Sequence, residues 1–559
     1  MGDQTEETRK KKIKEAYREA TTDFTTESGI IVNNVYTPED ISDIDFDRDI
    51  GFPGQYPFTR GHHPLMYRGK LWNIREISGL STPAKFNERC KFLVEQGAGA
   101  LDWELDGPTL YGIEPDQPMA EGQLGVCGVA LHTLRDVEVL SEGLPLDELS
   151  LSSDAFYPDV WQSYILTAKK KGYDISKLRG IGGAIFYYGP SVFPSRMDWL
   201  VNKGDFSTLA RWGNDFCEYA YKNFPRWNIW FTSSYDLQEA GGNAIQEIAF
   251  TIAIRNELIR EMLRRGLDIN TIGNRLSPVL GINRDFFEEV AKLRAARRIW
   301  ARTMKEEFKA TDPKAMCLRF HVDVSGANFT RQQPLVNIAR GTLGTLAAVF
   351  GGSMGIQTPS FDEGWATPTE EAVRLAIRTQ QVIRYESGIT RVADPLAGSY
   401  YVEWLTSELE EKIEAMVHQI EEMGGWLTVL DSGWVHEQLK EGLLDIQRKV
   451  ENGQRTVIGV NRFQIPPEDD FRPNVFAPDT SDVEKYLKDY VSFKKKRDHK
   501  TLKEKIKNLQ NAANDPDKNL VSYVYDALEA DATFPEIIGV MRMNDGLEYD
   551  WAGERDFPF

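Results

Sequence analysis

The sequence predicts an α/β protein centred on a (β/α)8 TIM barrel, with an N-terminal arm before the barrel and a helical C-terminal extension after it. From residue 72 to residue 355, short apolar runs of strand length alternate with amphipathic segments of helical length. Strands that alternate with helices are typical of a parallel sheet, and about eight such units in roughly 300 residues are typical of a closed barrel. A doubly wound open sheet is the alternative, which the lack of a G-x-G-x-x-G motif after the first strand disfavours.

The apolar runs predict the strands, and two segments between them predict the clearest helices. Apolar residues repeat at helical spacing from Ile245 to Leu263 and stop at Gly266, a residue that suits a helix end; a second such face runs from Phe286 to Trp300. The predicted strands are Trp72–Ile77, Ala100–Leu105, Val126–Leu131, Glu148–Ser152, Ile181–Phe186, Asn228–Ser233, Arg275–Leu280, Cys317–Val322 and a short piece at Gly351–Ile356.

Three regions follow from this pattern. Residues 1–55 form a charged arm, residues 56–403 the barrel, and residues 404–559 a helical region that includes a Pro-rich connector, IPPEDDFRPNVFAPD. The last stretch, GLEYDWAGERDFPF, is expected to be unstructured unless it docks on the rest of the chain.

Composition narrows the function classes. A net charge of −19 over 559 residues argues against a nucleic-acid surface, which normally shows a basic footprint. No run of about 18 apolar residues predicts a membrane span, and the charged N-terminus lacks the apolar core of a secretory signal. The four cysteines are widely separated, without C-x-x-C spacing, so neither a disulfide framework nor a metal site is expected. A cytoplasmic protein is the expectation.

Polar side chains crowd the end of one predicted strand. Tyr235, Asp236, Gln238 and Glu239 directly follow Asn228–Ser233, and in barrels the loops after the strands build the site. An ordinary capped strand-to-helix turn is the alternative. A second group is basic, comprising Arg60, Arg68, Lys70 and Arg75; it is interpreted either as a phosphate clamp or as a solvated loop. Common catalytic motifs such as H-E-x-x-H, G-x-S-x-G and the P-loop are absent, so local motifs indicate no reaction.

Longer stretches resemble the large chain of the methylmalonyl-CoA mutase family, in one order from about Gln55 to Phe463. They are TRGHHPLMYRGKLWNIREISG, LDGPTLYG, SYDLQEAG, NRLSPVLGINRDFFEEVAKLRAARRIWA, AAVFGGSMGIQTPSFDE, YESGITRVADPLAGSYYVE and VIGVNRF. The resemblance implies a barrel threaded by the pantetheine arm of coenzyme A, with the acyl group at the rim. It also implies a radical 1,2-rearrangement initiated by adenosylcobalamin, in which the protein positions the substrate and excludes water.

The cobalt-ligating motif D-x-H-x-x-G of the family does not occur; Asp498 and His499 are adjacent. The resemblance therefore implies a substrate-binding large subunit, similar in organisation to the large chains of 2-hydroxyisobutyryl-CoA and isobutyryl-CoA mutases. A separate small cobalamin-binding subunit would supply the cobalt ligand and would contact the arm, in a hetero-oligomer of two large and two small chains.

The resemblance also implies site residues. The CoA-binding positions of the family fall on His63, Leu65, Met66, Lys70, Asn73, Arg75, Arg275 and Ser277. Lys70 replaces an arginine, which keeps the charge and loses the bidentate fork. Tyr235 corresponds to the tyrosine beside the corrin, and the other cofactor-facing positions are Glu239, Glu363, Cys127 and Gly326.

Departures from the family concern the acyl group. Asp236 replaces the histidine that hydrogen-bonds the thioester carbonyl, and an ionised Asp cannot donate, so it would have to be protonated or turned to another group. Tyr188 stands where an arginine holds the methylmalonyl carboxylate, and without that cation methylmalonyl-CoA is not the expected substrate.

Two further positions suggest what the substrate is. Ile77 and Glu104 resemble the Ile and Asp of the 2-hydroxyisobutyryl enzyme, and Leu105 and Val279 are expected to line the same pocket. The expected substrates are therefore a 2-hydroxyisobutyryl/3-hydroxybutyryl-CoA pair or a thioester with a bulkier acyl group. Gly182 and Gly183 are expected to enlarge the pocket for the bulkier group. Glu104 paired with a nearby Arg is the alternative. At the level of function, the alternative is an inactive CoA-thioester-binding or assembly subunit.

Overall fold

The structure is a computed structural model of the chain, and it describes residues 8, 24–182, 207–229, 233–550 and 553–559. Within these residues, eight strands form one parallel sheet in the order β5-β4-β3-β2-β1-β8-β7-β6. The strands are β1 Asn73–Ser78, β2 Ala100–Trp103, β3 Ser150–Ser153, β4 Arg179–Ile181, β5 Trp227–Asn228, β6 Val279–Ile282, β7 His321–Val324 and β8 Gly355–Gln357.

The two ends of this sheet meet. Ser233, which follows β5, forms an isolated parallel bridge with Val279 of β6. The backbone N–H of Ile229 also donates to the carbonyl of Arg275 at 3.0 Å. The sheet is therefore closed, which confirms the predicted barrel over the open sheet.

Helices cover the outside of the barrel and continue to the C-terminus. They are α1 Pro83–Gln96, α2 Gly107–Tyr111, α3 Leu134–Leu140, α4 Asp159–Lys170, α5 Ser207–Asn223, α6 Ser234–Glu239, α7 Ala244–Arg264, α8 Ile269–Gly273, α9 Phe286–Glu306, α10 Pro313–Met316, α11 Asn337–Phe350, α12 Glu370–Tyr385, α13 Tyr400–Glu422, α14 Trp426–Asp431, α15 Trp434–Glu451, α16 Thr480–Lys496, α17 His499–Ala513, α18 Val521–Glu529 and α19 Phe534–Asn544. Both helices predicted from periodicity, α7 and α9, are confirmed. Asn243 caps the start of α7 in a capping box with Gln246.

One predicted strand is wrong. Val126–Leu131 is irregular and touches the barrel only through a bridge between Val129 and Leu105. Gly128 (φ +112°) lies so close to the chain after β2 that a Cβ there would be 2.2 Å from the carbonyl carbon of Leu105. The backbone at Gly128 passes so close to Leu105 that only glycine fits there, and this segment makes no regular strand pairing with β2.

Other predicted strands are confirmed with shifted bounds. The run predicted from Arg275 becomes a strand only at Val279, because Pro278 has no N–H to give to a ladder. Residues 183–186 and 230–232, which belong to two of the predicted runs, lie outside the described part of the chain.

The arm and the C-terminal region both dock on the barrel. In the arm, a two-residue pair joins Phe24–Thr25 to Ile31–Val32, and Asp49 accepts from Arg302 of α9 at 2.9 Å. At the other end, Asp550 accepts from Gln117 at 2.9 Å, so the terminal stretch is docked. In the described residues, no helix combines the length and apolar character needed to cross a membrane.

Candidate functional site

The barrel interior contains a buried ionic contact at Arg75. Its Nε donates to Asp102 at 2.9 Å, and its Nη2 donates to Ser152 Oγ at 2.8 Å. Side chains that meet across β1, β2 and β3 share one face of the sheet, and alternation along a strand then puts Ile77 and Glu104 on the same inner face. Arg75, predicted to bind CoA, therefore projects into the barrel.

Above this layer, three predicted cofactor-facing side chains converge on Gly326. A Cβ at Gly326 would lie 3.1 Å from Glu363 Oε2, 3.5 Å from the Tyr235 hydroxyl and 3.7 Å from Glu239 Oε1. The Tyr235 hydroxyl is hydrogen-bonded to Glu239, which also accepts from the N–H of Ala327 at 2.9 Å. The structure thus brings together Tyr235, Glu239, Glu363 and Gly326, which are far apart in the chain.

Electrostatics at this mouth favour protonated groups. Burial, followed by the nearby carboxyl of Glu239, raises the pKa of the Tyr235 phenol well above its usual range. Burial also raises the pKa of Glu363 to about 8, with Glu239 and Glu104 adding to the rise. The site therefore holds hydrogen-bond donors at neutral pH where exposed carboxyls would be ionised.

Burial also raises the pKa of the Asp236 carboxyl. Burial raises its pKa to about 8, a hydrogen bond with Ser233 opposes the rise, and the charges of Glu239, Glu104 and Asp323 add to it. A carboxyl whose pKa is about 8 is mostly protonated at pH 7 and is then able to donate a hydrogen bond, which is the form that the sequence analysis required of Asp236.

Two acids missed by the sequence reasoning complete the interior. Asp154 follows β3 just as Glu104 follows β2, and these strands pair Trp103 with Ser153. The two carboxyls are hydrogen-bonded to each other, and burial and then Glu104 raise the pKa of Asp154 well above its usual range. Glu104 thus lies beside a second acid. Asp323 of β7 is the other missed acid, and burial raises its pKa to about 7. An acidic residue within two positions of the end of a predicted strand, such as Asp154 after Glu148–Ser152, was the available signal.

The predicted CoA-binding residues range from exposed to buried. His63, Leu65 and Lys70 are exposed, whereas Met66 and Ser277 are buried and Asn73 is half-buried. Arg275 is also buried, and it donates to backbone carbonyls of Trp227, Phe224 and Ala220.

Arg275 lies beside Arg319, a further cation that the sequence reasoning missed. Burial and then Arg319 lower the pKa of Arg275 to about 10. The predicted basic clamp is divided: Arg60 pairs with Asp394 at 3.3 Å and Arg75 lies inside the barrel, while Arg68 and Lys70 remain exposed.

The remaining predicted residues are placed as follows. Ile77 is half-buried and Val279 is fully buried; Leu105 is buried, and its N–H donates to Asp154 at 3.0 Å. Cys127 is exposed. Tyr188 lies outside the described residues, as does Gly183. Gly182 does not enlarge the pocket: a Cβ there would meet the Trp161 ring of α4 at 2.5 Å, on the outer side of the sheet.

Comparisons with known proteins agree with this geometry. The family model for methylmalonyl-CoA mutase matches residues 25–547. The 2-hydroxyisobutanoyl-CoA mutase large subunit of Aquincola tertiaricarbonis is 36% identical over 96% of this chain and 93% of its own length. Methylmalonyl-CoA mutases of Rhizobium meliloti (strain 1021) and of human mitochondria are each 33% identical over 92% of this chain, and the match covers 72% and 68% of their lengths. The chain therefore belongs to the methylmalonyl-CoA mutase family and is an isomerase that depends on adenosylcobalamin.

Proposed function

We propose that the chain is the large, substrate-binding subunit of an acyl-CoA carbon-skeleton mutase, that a separate small subunit provides the cobalt ligand, and that the substrate is not methylmalonyl-CoA. The observation that carries the proposal is the convergence of Tyr235, Glu239 and Glu363 on Gly326, above a barrel interior that contains Arg75. A protein that only bound CoA would not need hydrogen-bonding groups gathered at this mouth.

The residues at the mouth fit adenosylcobalamin. Gly326 leaves a recess that a side chain would fill, and the recess is bordered by a phenol and two carboxyls, which suit the amides of a corrin and the hydroxyls of a ribose. When bound, the cofactor supplies the radical chemistry. The chain's part is to hold Tyr235 and Glu363 in place and to keep water from the acyl group; Cys127 would contact the cofactor from the loop after β2.

The proposed CoA path runs from exposed cations to the buried interior. Lys70 and His63 are exposed and suit the phosphates, and Arg275, Ser277, Met66 and Asn73 line the way inward. Arg75 lies deeper, where its guanidinium suits the amide carbonyls of the pantetheine arm.

Asp236 is the proposed donor to the thioester carbonyl. It replaces the family's histidine, and its pKa of about 8, raised by burial, keeps it protonated at pH 7. Tyr235 lies one residue away and faces the cofactor recess. Together they would position the carbonyl group and shield it, which is the catalytic role assigned to both.

The acyl pocket is proposed to exclude anions. Ile77 and Val279 provide apolar walls, and Glu104, Asp154 and Asp323 provide carboxyls. A second carboxylate on the substrate would lie beside these carboxyls, where Arg75 is already bound to Asp102, and a buried carboxylate without a cation is costly. A 2-hydroxyisobutyryl/3-hydroxybutyryl-CoA pair or a bulkier neutral acyl pair is compatible, and the relative named for 2-hydroxyisobutanoyl-CoA supports the first.

The proposed assembly contains two large and two small chains and is cytoplasmic. The arm offers apolar side chains to the small subunit, since Phe24 and Ile31 are 66% and 62% exposed.

The test is reconstitution. The chain is purified with its small cobalamin subunit and adenosylcobalamin, and a panel of acyl-CoA thioesters is screened by mass spectrometry for isomers of equal mass. We expect isomerisation of at least one non-anionic thioester and none of methylmalonyl-CoA. Absence of any isomer while cobalamin and thioester are both bound would favour the alternative, an inactive CoA-thioester-binding or assembly subunit.

A further inference from the structure

A cluster of arginines lies at the amino ends of the barrel strands. Arg275 precedes β6, Arg319 precedes β7, and the loop that contains His62 precedes β1. Because the strands are parallel, these segments share one end of the barrel. Tyr235 and Glu363 follow β5 and β8 and therefore lie at the opposite end. A thioester whose acyl group is at that mouth would have its nucleotide among the arginines.

Two of these arginines are committed to the protein itself. Nε and Nη2 of Arg275 donate to the carbonyls of Trp227, Phe224 and Ala220, the last at 3.2 Å. These carbonyls lie at the C-terminal end of α5 and in the turn to β5, where a cation also complements the helix dipole. All three nitrogens of Arg297 likewise donate to backbone carbonyls, two of them at 3.0 Å and 2.8 Å. A phosphate would have to compete with these bonds.

Arg319 differs from both. Its guanidinium makes no hydrogen bond or ion pair with the residues that the structure describes, and its Nη2 is buried without a partner there. Asp312 is the acid whose charge acts on Arg319, but that carboxyl already accepts from the N–H of Lys314 at 2.9 Å and from Asn274 at 3.2 Å. Buried donors normally have partners, so the uncommitted guanidinium is suited to an anionic ligand.

Alternation along β7 directs Arg319 toward the bore. The N–H of Met354 donates to Phe320 O at 3.1 Å, so the pairing of β7 with β8 continues to that residue. Successive side chains of a strand alternate between faces, and Arg319 therefore lies on the same face as His321. The His321 ring and the Arg75 side chain lie against one glycine of β8, which places this face inside the barrel.

Arg319 also lies beside the loop that the resemblance assigns to CoA. Sγ of Cys317 is 3.9 Å from His62 O. Burial and then Arg297, His63 and Arg319 lower the pKa of His62 to about 4, so this imidazole is neutral at pH 7. The positive charge that faces the loop from β7 is therefore that of Arg319.

We propose that Arg319 holds the diphosphate of the CoA nucleotide, whereas Arg275 is a positioning residue that fixes the end of α5. The proposal rests on the proposed function and adds a residue that the resemblance did not assign to CoA. The diphosphate is attached directly to the pantetheine arm, so it lies at the end of the bore. A guanidinium offers paired, planar donors that match phosphate oxygens. The 3′-phosphate lies farther out, where Arg68 and Lys70 are exposed.

The test is isothermal titration calorimetry on the full-length chain at pH 7, with butyryl-CoA, its 3′-dephospho form and S-butyryl-pantetheine, which lacks the nucleotide. We expect the wild type to bind both nucleotide thioesters at least about tenfold tighter than S-butyryl-pantetheine. Arg319→Gln is expected to weaken both nucleotide thioesters at least about tenfold, which corresponds to about 1.4 kcal/mol, without changing the affinity for S-butyryl-pantetheine. Arg319→Lys keeps the charge without the fork and should recover part of the loss.

Two variants serve as controls. Arg275→Gln is expected to lower the urea midpoint of unfolding while the folded protein keeps its preference for butyryl-CoA over S-butyryl-pantetheine. Lys507→Gln removes one exposed positive charge from α17 and is expected to keep all three wild-type affinities.

Each outcome decides between the ideas. Unchanged butyryl-CoA affinity in folded Arg319→Gln, or an equal loss for all three ligands, overturns the proposal. A loss confined to butyryl-CoA, with the 3′-dephospho form unaffected, also overturns it, because the cation then holds the 3′-phosphate. If Arg319→Gln does not fold, Arg319→Lys and the wild-type panel remain, and equal wild-type affinities for butyryl-CoA and S-butyryl-pantetheine refute the proposal. Failure of all three thioesters to bind the wild type overturns the proposed function itself.

Discussion

Asp236 offers the sharpest test of how the site works, because its proposed role depends on its proton. Burial raises its pKa to about 8, with Glu239 and Glu104 adding to the shift. A group with that pKa is about 90% protonated at pH 7 and about 10% protonated at pH 9. If the protonated form is the donor to the thioester carbonyl, kcat/KM falls roughly tenfold between these pH values.

The perturbation is Asp236→Asn, which keeps the shape and donates at every pH. We expect it to keep much of the wild-type kcat/KM at pH 7 and to remove the decline toward pH 9. Asp236→Ala removes the donor and is expected to cost about 1–3 kcal/mol of transition-state stabilisation. The assay is the rate of isomer formation from pH 6 to 9 with the reconstituted complex.

The contribution of Glu363 to the pH dependence of kcat/KM must be distinguished from that of Asp236, because burial raises the pKa of Glu363 to about 8 as well. Glu363→Gln is the matched control, and it is expected to leave the decline in place. The reasoning is refuted if Asp236→Asn retains the wild-type pH profile, or if its turnover collapses while CoA binding persists. In the second case the carboxylate acts on the acyl group and not on the carbonyl.

Three further predictions concern the cofactor recess and stability. Gly326→Ala places a methyl group 3.1 Å from Glu363 Oε2, and we expect a turnover loss of at least about tenfold with acyl-CoA affinity unchanged by calorimetry; unchanged turnover would contradict the recess. Lys292→Met leaves buried Glu247 and Glu289 without their cation, and we expect urea titration to show a loss of about 3–5 kcal/mol; a loss under about 1 kcal/mol would argue against the contact. Between about pH 5 and pH 8, native Asp236 holds a proton that the unfolded chain has released, so the free energy of unfolding of the wild type should fall relative to Asp236→Asn as pH rises; parallel curves would exclude the raised pKa.

The sequence predicted the parts of the fold that are set by local periodicity. Helices α7 and α9 were found because their apolar faces repeat at helical spacing, and the barrel followed from alternating elements. Strand bounds were less accurate, because a strand buried on both faces is a continuous apolar run whose ends depend on its neighbours. Val126–Leu131 was misassigned for the same reason: an apolar run beside β2 is a loop fixed by Gly128.

The site was predictable where a long motif carried it and unpredictable where it depends on strand pairing. Tyr235, Glu239 and Glu363 were placed by resemblance, and they converge. Asp154 was missed because its partner, Glu104, is 50 residues earlier in the chain, and only the pairing of β2 with β3 brings them together. The raised pKa of Asp236 likewise could not be predicted from the sequence, since the shift arises mainly from burial.

The loop that carries Tyr235 and Asp236 is held from behind by a buried ionic group. Ser234 Oγ lies 2.9 Å from Val279 O and 3.2 Å from Glu247 Oε1, so its single proton is shared between these two acceptors. Glu247 also accepts from the N–H of Gly281 at 2.7 Å and pairs with Lys292 at 2.6 Å.

A single glutamate thus joins the start of α6 to strand β6, at the glycine over which Gln238 lies. The anchoring groups are fully paired and fully buried, whereas the amide of Gln238 on the same short helix has no partner in the described residues. This division is what a preorganised site requires, because the backbone is fixed before the ligand arrives and binding only has to satisfy the side chains.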